Sequence, residues 1–199
     1  MRTNNAHFIL VAAAFMLAAC TSKKNALDKP AEISQQPTAA VQRHQPQVSP
    51  LRRKAVSLLE KKNYRQAIKL LNGRYHDGLE KEYVQAINGL LDVGADAFSL
   101  GDYLPAAHAF KGVLNAYPVE PSLRERVSHD PKQIRIFLNT CTNRMMDQGL
   151  EEYRRGRLES AIGKWKGVLT INSGHHEAKK SIDTATVQLQ ALQNLNKKK

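Results

Sequence analysis

GDYLPAAHAFKGVL (Gly101 to Leu114) and GRLESAIGKWKGVL (Gly156 to Leu169) are two near-copies of one pattern in a chain of 199 residues. Aligned without a gap, they pair Tyr103 with Leu158, Ala106 with Ala161, Ala107 with Ile162, Phe110 with Trp165, Val113 with Val168 and Leu114 with Leu169. Lys111-Gly112 recurs as Lys166-Gly167. The apolar positions fall at i, i+3, i+4, i+7, i+10 and i+11, which lays them along one stripe of an amphipathic helix. Such a helix cannot bury its stripe alone, so the flanking chain has to supply neighbours.

The same stripe recurs in shorter form upstream. Ala55, Val56, Leu58 and Leu59 make one apolar face, Lys62-Asn63 suits a turn, and Tyr64, Ala67, Ile68 and Leu71 make the next face, so a helical hairpin is expected from about Leu51. Asn72-Gly73 and His76-Asp77-Gly78 interrupt it. A longer helix is expected from about Glu80 to Ser99, carrying Tyr83, Ala86, Ile87, Leu90, Leu91, Gly94, Ala97 and Phe98, and Gly101-Asp102 turns the chain into the first copy. Pro118, Pro121 and Ser128-His129 read as loop. Asp130-Pro131 then offers an N-cap with proline at the first helical position, opening a helix of about 25 residues that leads to the second copy. A last amphipathic helix carries Ala178, Ile182, Ala185, Leu189 and Leu192. Long period-two alternation is absent throughout, so the expected class is all-α.

With these residues in place the chain resembles the tetratricopeptide-repeat (TPR) family, whose unit is two antiparallel helices of 34 residues with small residues at the crossing and an aromatic on the second helix. Leu90, Gly94, Phe98, Gly101, Tyr103, Ala106, Phe110, Leu114 and Pro118 fill those places in one unit, and Met145, Gly149, Tyr153, Gly156, Leu158, Ala161, Trp165 and Leu169 in another. The resemblance implies a short α-solenoid of about three TPR-like hairpins plus a C-terminal capping helix, over residues 51–192, followed by a basic polar tail at 193–199. Gly94 is expected to approach Ala106 closely, and Gly149 to approach Ala161. The spacing departs from the family: Ala67 and Ala106 lie 39 positions apart, Ala106 and Ala161 lie 55 apart. The segment from Val119 to Pro131 has to absorb the excess.

In that family ligands lie in a groove lined by the first helix of each hairpin. Mapped here, the resemblance implies a partner groove at Asn88, Leu91 and Phe98 and at Asn143, Met146, Tyr153 and Arg154, although Leu91 and Met146 are equally suited to a plain core. Asn side chains there would bond a peptide backbone, and Arg154 an acidic group.

Met1 to Ala19 has the parts of an export signal: Arg2, an apolar run from Phe8 to Ala19, and small residues at its end. The run is about a dozen residues, short of the roughly 20 that span a bilayer. Leu17-Ala18-Ala19-Cys20 resembles the bacterial lipobox, which implies cleavage after residue 19 and acylation of Cys20; Thr21 then implies sorting to the outer membrane, facing the periplasm. Residues 20–50 contain Pro30, Pro37, Pro46 and Pro50 among Gln, Ser, Ala and Lys, and read as a disordered tether. At about 30 residues, such a tether has an end-to-end distance near 30 Å.

The chain carries 30 bases against 18 acids. From Pro50 on there are 25 bases and 16 acids, a net +9 that suits an anionic partner or simply keeps the head soluble. Catalytic chemistry is not expected. Cys141 sits in an apolar helical pattern without a His-Asp arrangement, and His175-His176-Glu177 lacks a further ligand at metal spacing and suits a helix start. Neither metal nor cofactor is expected. Two functions are compatible: an envelope-anchored adaptor that binds a protein or peptide of a secretion, pilus or outer-membrane machine, and a binder of an anionic wall polymer or regulator of a wall enzyme. Nucleic acid, which the charge alone would allow, does not share the compartment that the lipobox implies.

Overall fold

The structure is a computed structural model that describes residues 49 to 197. The expected leader, Cys20 and nearly all of the tether lie outside the described residues. Among the described residues there are eight helices and no strand: α1 Pro50–Glu60, α2 Tyr64–Leu71, α3 Glu80–Ser99, α4 Tyr103–Asn115, α5 Pro121–Arg124, α6 Pro131–Arg154, α7 Leu158–Ile171 and α8 His176–Asn196. The all-α expectation holds for them. Three helix–turn–helix hairpins, α1/α2, α3/α4 and α6/α7, pack in chain order, with α2 against α3, α4 against α6 and α7 against α8.

One turn closes all three hairpins. After each first helix comes a single cap residue, then a residue with positive φ, then the N-cap of the second helix. The positive-φ residues are Lys62 (54°), Gly101 (79°) and Gly156 (75°). The amides of Asn63, Asp102 and Arg157 donate back to the carbonyls of Leu58, Ala97 and Glu152 at 2.8, 2.9 and 2.9 Å, and those of Lys62, Gly101 and Gly156 donate to Leu59, Phe98 and Tyr153 at 2.9, 3.0 and 2.9 Å. This pair of bonds is the Schellman closure, which satisfies the last carbonyls of the first helix and needs a left-handed residue. Glycine supplies it without strain at two of the three turns.

The close approaches also repeat. A side chain added at Gly94 would meet the Phe110 ring at 2.8 Å, and one added at Gly149 would overlap the Trp165 ring. Glycine therefore seats the aromatic residue of the second helix, and Ala106 and Ala161, the expected small partners, are fully buried on the same helices. Trp165 also donates its indole N–H to the carbonyl of Met146 at 3.2 Å, so its polar atom is satisfied.

The Val119 to Pro131 segment is not open loop. It contains α5 and buries Leu123 and Val127. Tyr75 and Tyr83 stack beneath it with centroids 4.2 Å apart; Tyr83 donates to the Ala116 carbonyl at 2.7 Å and Tyr75 to Glu120 at 2.9 Å. Burial first, then the neighbouring Tyr75 and Glu120, push the Tyr83 hydroxyl up to about 12, so it remains a donor. Asp130 caps α6 as expected, accepting from the Gln133 amide at 2.8 Å, an interaction of about 1 kcal/mol. At the other end α8 runs to Asn196, past the boundary expected at 192.

Lys62 is the outlier among the three turns, and it sets a stability prediction. Lys62→Gly relieves the left-handed penalty and should stabilise the full chain by up to about 1 kcal/mol, whereas Gly156→Ala should cost about 1 kcal/mol. Denaturant unfolding measures both. A loss of stability in Lys62→Gly would contradict the shared turn.

Candidate functional site

A small recess lies between α3, α4 and α6. Phe98 from the end of α3, Phe110 from α4 and Phe137 from α6 wall it: Phe110 stacks on Phe137 with centroids 5.4 Å apart, and Phe98 meets Phe137 edge-on at 6.0 Å. Leu91 and Ala95 from α3 complete the apolar lining, and Asp92 and His129 stand beside them. The volume is about 90 Å³. Cofactors and drug-sized ligands occupy about 300–1,000 Å³, so this pocket is too small for one, but it has room for one apolar side chain of a partner.

Phe98 also touches Tyr103 edge-on at 5.7 Å. Tyr103 in turn borders a shallower recess of about 400 Å³ lined by Arg144, Asp147, Gln148, Leu150, Glu151 and Arg154. The apolar anchor pocket and this recess of mixed charge therefore share the Phe98–Tyr103 contact.

The seven residues expected to form one groove are divided among different tasks. Leu91 and Phe98 line the apolar pocket, Leu91 with only 3% of its surface exposed. Arg154 borders the mixed-charge recess. Asn88 is occupied: its amide donates to the Arg126 carbonyl and its oxygen accepts from the Ser128 amide, both at 3.0 Å, so it pins the inserted segment to α3. Met146 and Tyr153 pack into the cluster around Trp165, with Tyr153 and Trp165 centroids 6.0 Å apart. Asn143 belongs to a separate polar groove between α4, α6 and the end of α7. The expected groove is thus not continuous. Phe137, the ring that joins Phe98 to Phe110, was absent from it because helical spacing alone does not show which flank of α6 the insertion leaves open.

Comparison with protein-family models, with curated proteins and with solved structures returned no match. The reading of the site therefore rests on its own chemistry.

Cys141 is fully buried and burial pushes its thiol up to about 11, so it packs as a small apolar residue. His175 caps α8 by accepting from the Ala178 amide through Nδ1 at 3.2 Å, as expected of a helix start. Among the described residues no three His, Cys, Asp or Glu side chains cluster as metal ligands, and no helix is long and apolar enough to cross a membrane.

His108 on α4 is a histidine held away from its ordinary state. Burial, then the cations Arg65 and Lys111, lower its pKa below the usual 6.5. The unfolded chain takes up this proton more readily than the folded one, so stability is full above pH 6.5 and declines as pH falls through 6.5 towards the folded value. His108→Gln should flatten that decline in denaturant midpoints measured between about pH 7 and pH 5. An unchanged slope would show that His108 is not the linked group.

Proposed function

We propose that this protein is an envelope-anchored adaptor that holds a protein partner by inserting one apolar side chain of that partner between Phe98, Phe110 and Phe137. The observation that carries the reading is the aromatic-walled pocket of about 90 Å³ on the α3/α6 flank, sized for a side chain and too small for a cofactor. The neighbouring recess with Arg144, Asp147, Glu151 and Arg154 would add charged contacts that select the partner and its orientation.

In this reading the three hairpins are TPR-like repeats forming a short α-solenoid, with α8 as its cap. The support is threefold: the shared Schellman turns at Lys62, Gly101 and Gly156, the repeated glycine–aromatic seats, and packing of hairpins in chain order. The insertion between the second and third hairpins is what places Phe137 and His129 beside α3 and thereby builds the pocket. The lipobox-like Leu17-Ala18-Ala19-Cys20 supports acylation of Cys20 and residence at the outer membrane facing the periplasm, with the head on its tether serving an envelope machine. The machine is assigned by compartment alone.

One crosslinking experiment in intact envelopes tests both halves. Ala95 is exposed and lines the pocket, so Ala95→Trp fills it without emptying the core. Recovery of the partner found with the wild type should fall about tenfold or more in Ala95→Trp, in line with losing a buried anchor. The wild-type chain should take up an alkyne fatty-acid label that Cys20→Ser does not. Unchanged partner recovery in Ala95→Trp would remove the pocket reading, and label persisting in Cys20→Ser would remove the anchor.

A further inference from the structure

α6 offers its Ile134–Cys141 stripe to α4, and the apolar pocket occupies only one flank of that contact. On the other flank lies a polar groove of about 650 Å³, within the range of binding sites, between α4, α6 and the end of α7. Its charged and titratable lining is Lys111, Arg135 and His175; among the described residues no carboxylate lines it. Lys111 spends one of its three donors on the Ile171 carbonyl at 2.5 Å and keeps two. His175 uses Nδ1 as the acceptor of its helix cap, so its ring proton sits on Nε2. Asn115, Asn139 and Asn143 add amides that both donate and accept, while the Asn172 oxygen already accepts from the Gly174 amide at 3.0 Å.

We propose that this groove binds an extended acidic peptide segment of a partner protein, with its carboxylates on Arg135 and Lys111 and its backbone on the asparagine amides. The donor set decides the class. Side-chain amides match the alternating N–H and C=O groups of an extended backbone, and guanidinium and ammonium groups match carboxylates. An acidic sugar chain would satisfy the cations equally, but the groove's apolar lining is Leu114, Leu138 and Ile171, with no aromatic face for a sugar ring to stack on. The site stands on its own lining and does not require the apolar pocket to be occupied.

Fluorescence anisotropy of a fluorescein-labelled oligoglutamate peptide with the full chain tests this assignment. Arg135 and Asn139 are both exposed, so their replacement leaves the fold intact, which unchanged thermal unfolding verifies. Arg135→Glu with Asn139→Ala should weaken binding about tenfold or more, since both remove hydrogen bonds to the peptide and one reverses the charge facing its carboxylates. Arg53→Glu, the same charge reversal at an exposed position on α1, should change it less than about twofold. Polygalacturonate should compete at least about tenfold more weakly than unlabelled oligoglutamate. Three outcomes overturn the proposal: equal weakening by the two reversals, which marks unspecific attraction to the basic head; competition by polygalacturonate as strong as by the peptide, which marks a glycan site; or no binding of the peptide.

Discussion

An aromatic ring laid on a glycine of the preceding helix holds the second and third hairpins together. Phe110 lies on Gly94 and Trp165 on Gly149. With no side chain on the glycine, the ring reaches the helix backbone, and burying a ring of this kind removes about 150–250 Å² from water. The turn helps fix the geometry. The left-handed residue of the Schellman closure reverses the chain within three residues, which leaves the second helix antiparallel and near enough for its ring to reach the glycine. Turn and seat are therefore two halves of one device, and α1/α2 has the turn with lysine in place of glycine.

This device decides which surfaces remain for a partner. Phe110 and Trp165 are consumed by the seats, both 3% exposed or less. Tyr153 and Met146 are drawn in beside Trp165. Two of the open recesses lie along the flanks of α6, the helix that follows the insertion and contacts both α4 and α7. One flank is aromatic, around Phe137, and the other is polar and cationic, around Arg135. The insertion, pinned by Asn88 and by the stacked Tyr75 and Tyr83, separates α6 from α3 far enough to leave a side-chain-sized pocket instead of a closed interface. A segment that breaks the repeat spacing is thus the source of the site.

The fold was legible to the extent that it is local. Period 3.6, the Asp130-Pro131 start and the Gly101 and Gly156 stops place α3, α4, α6 and α7 within a residue or two, because these signals act over one turn of chain. Spacing pointed to Ala106 and Ala161 as the small partners of the glycines and did not show that the Phe110 and Trp165 rings lie directly on them. Helical side chains lean towards the N-terminus, so a ring at position 110 or 165 covers the backbone spot that spacing assigns to its neighbour. The site was legible only in part. Leu91 and Phe98 line the pocket, but Asn88 bonds residues about 40 positions away, and Arg135 lines one groove with Lys111 and His175 from other elements. Contacts of that range leave no periodic trace. α5 was missed because four residues carry too few positions to show a period.

A double-mutant cycle between Gly149 and Trp165, read by denaturant unfolding of the full chain, tests the glycine–aromatic seat most directly. Gly149→Ala should cost about 1–3 kcal/mol in the wild-type background, as overpacking does. In a Trp165→Leu background the obstructing ring is gone, alanine is the better helix former, and the same change should cost nothing or stabilise. A penalty equal in both backgrounds to within about 0.5 kcal/mol would mean that ring and glycine act independently, and would contradict the account.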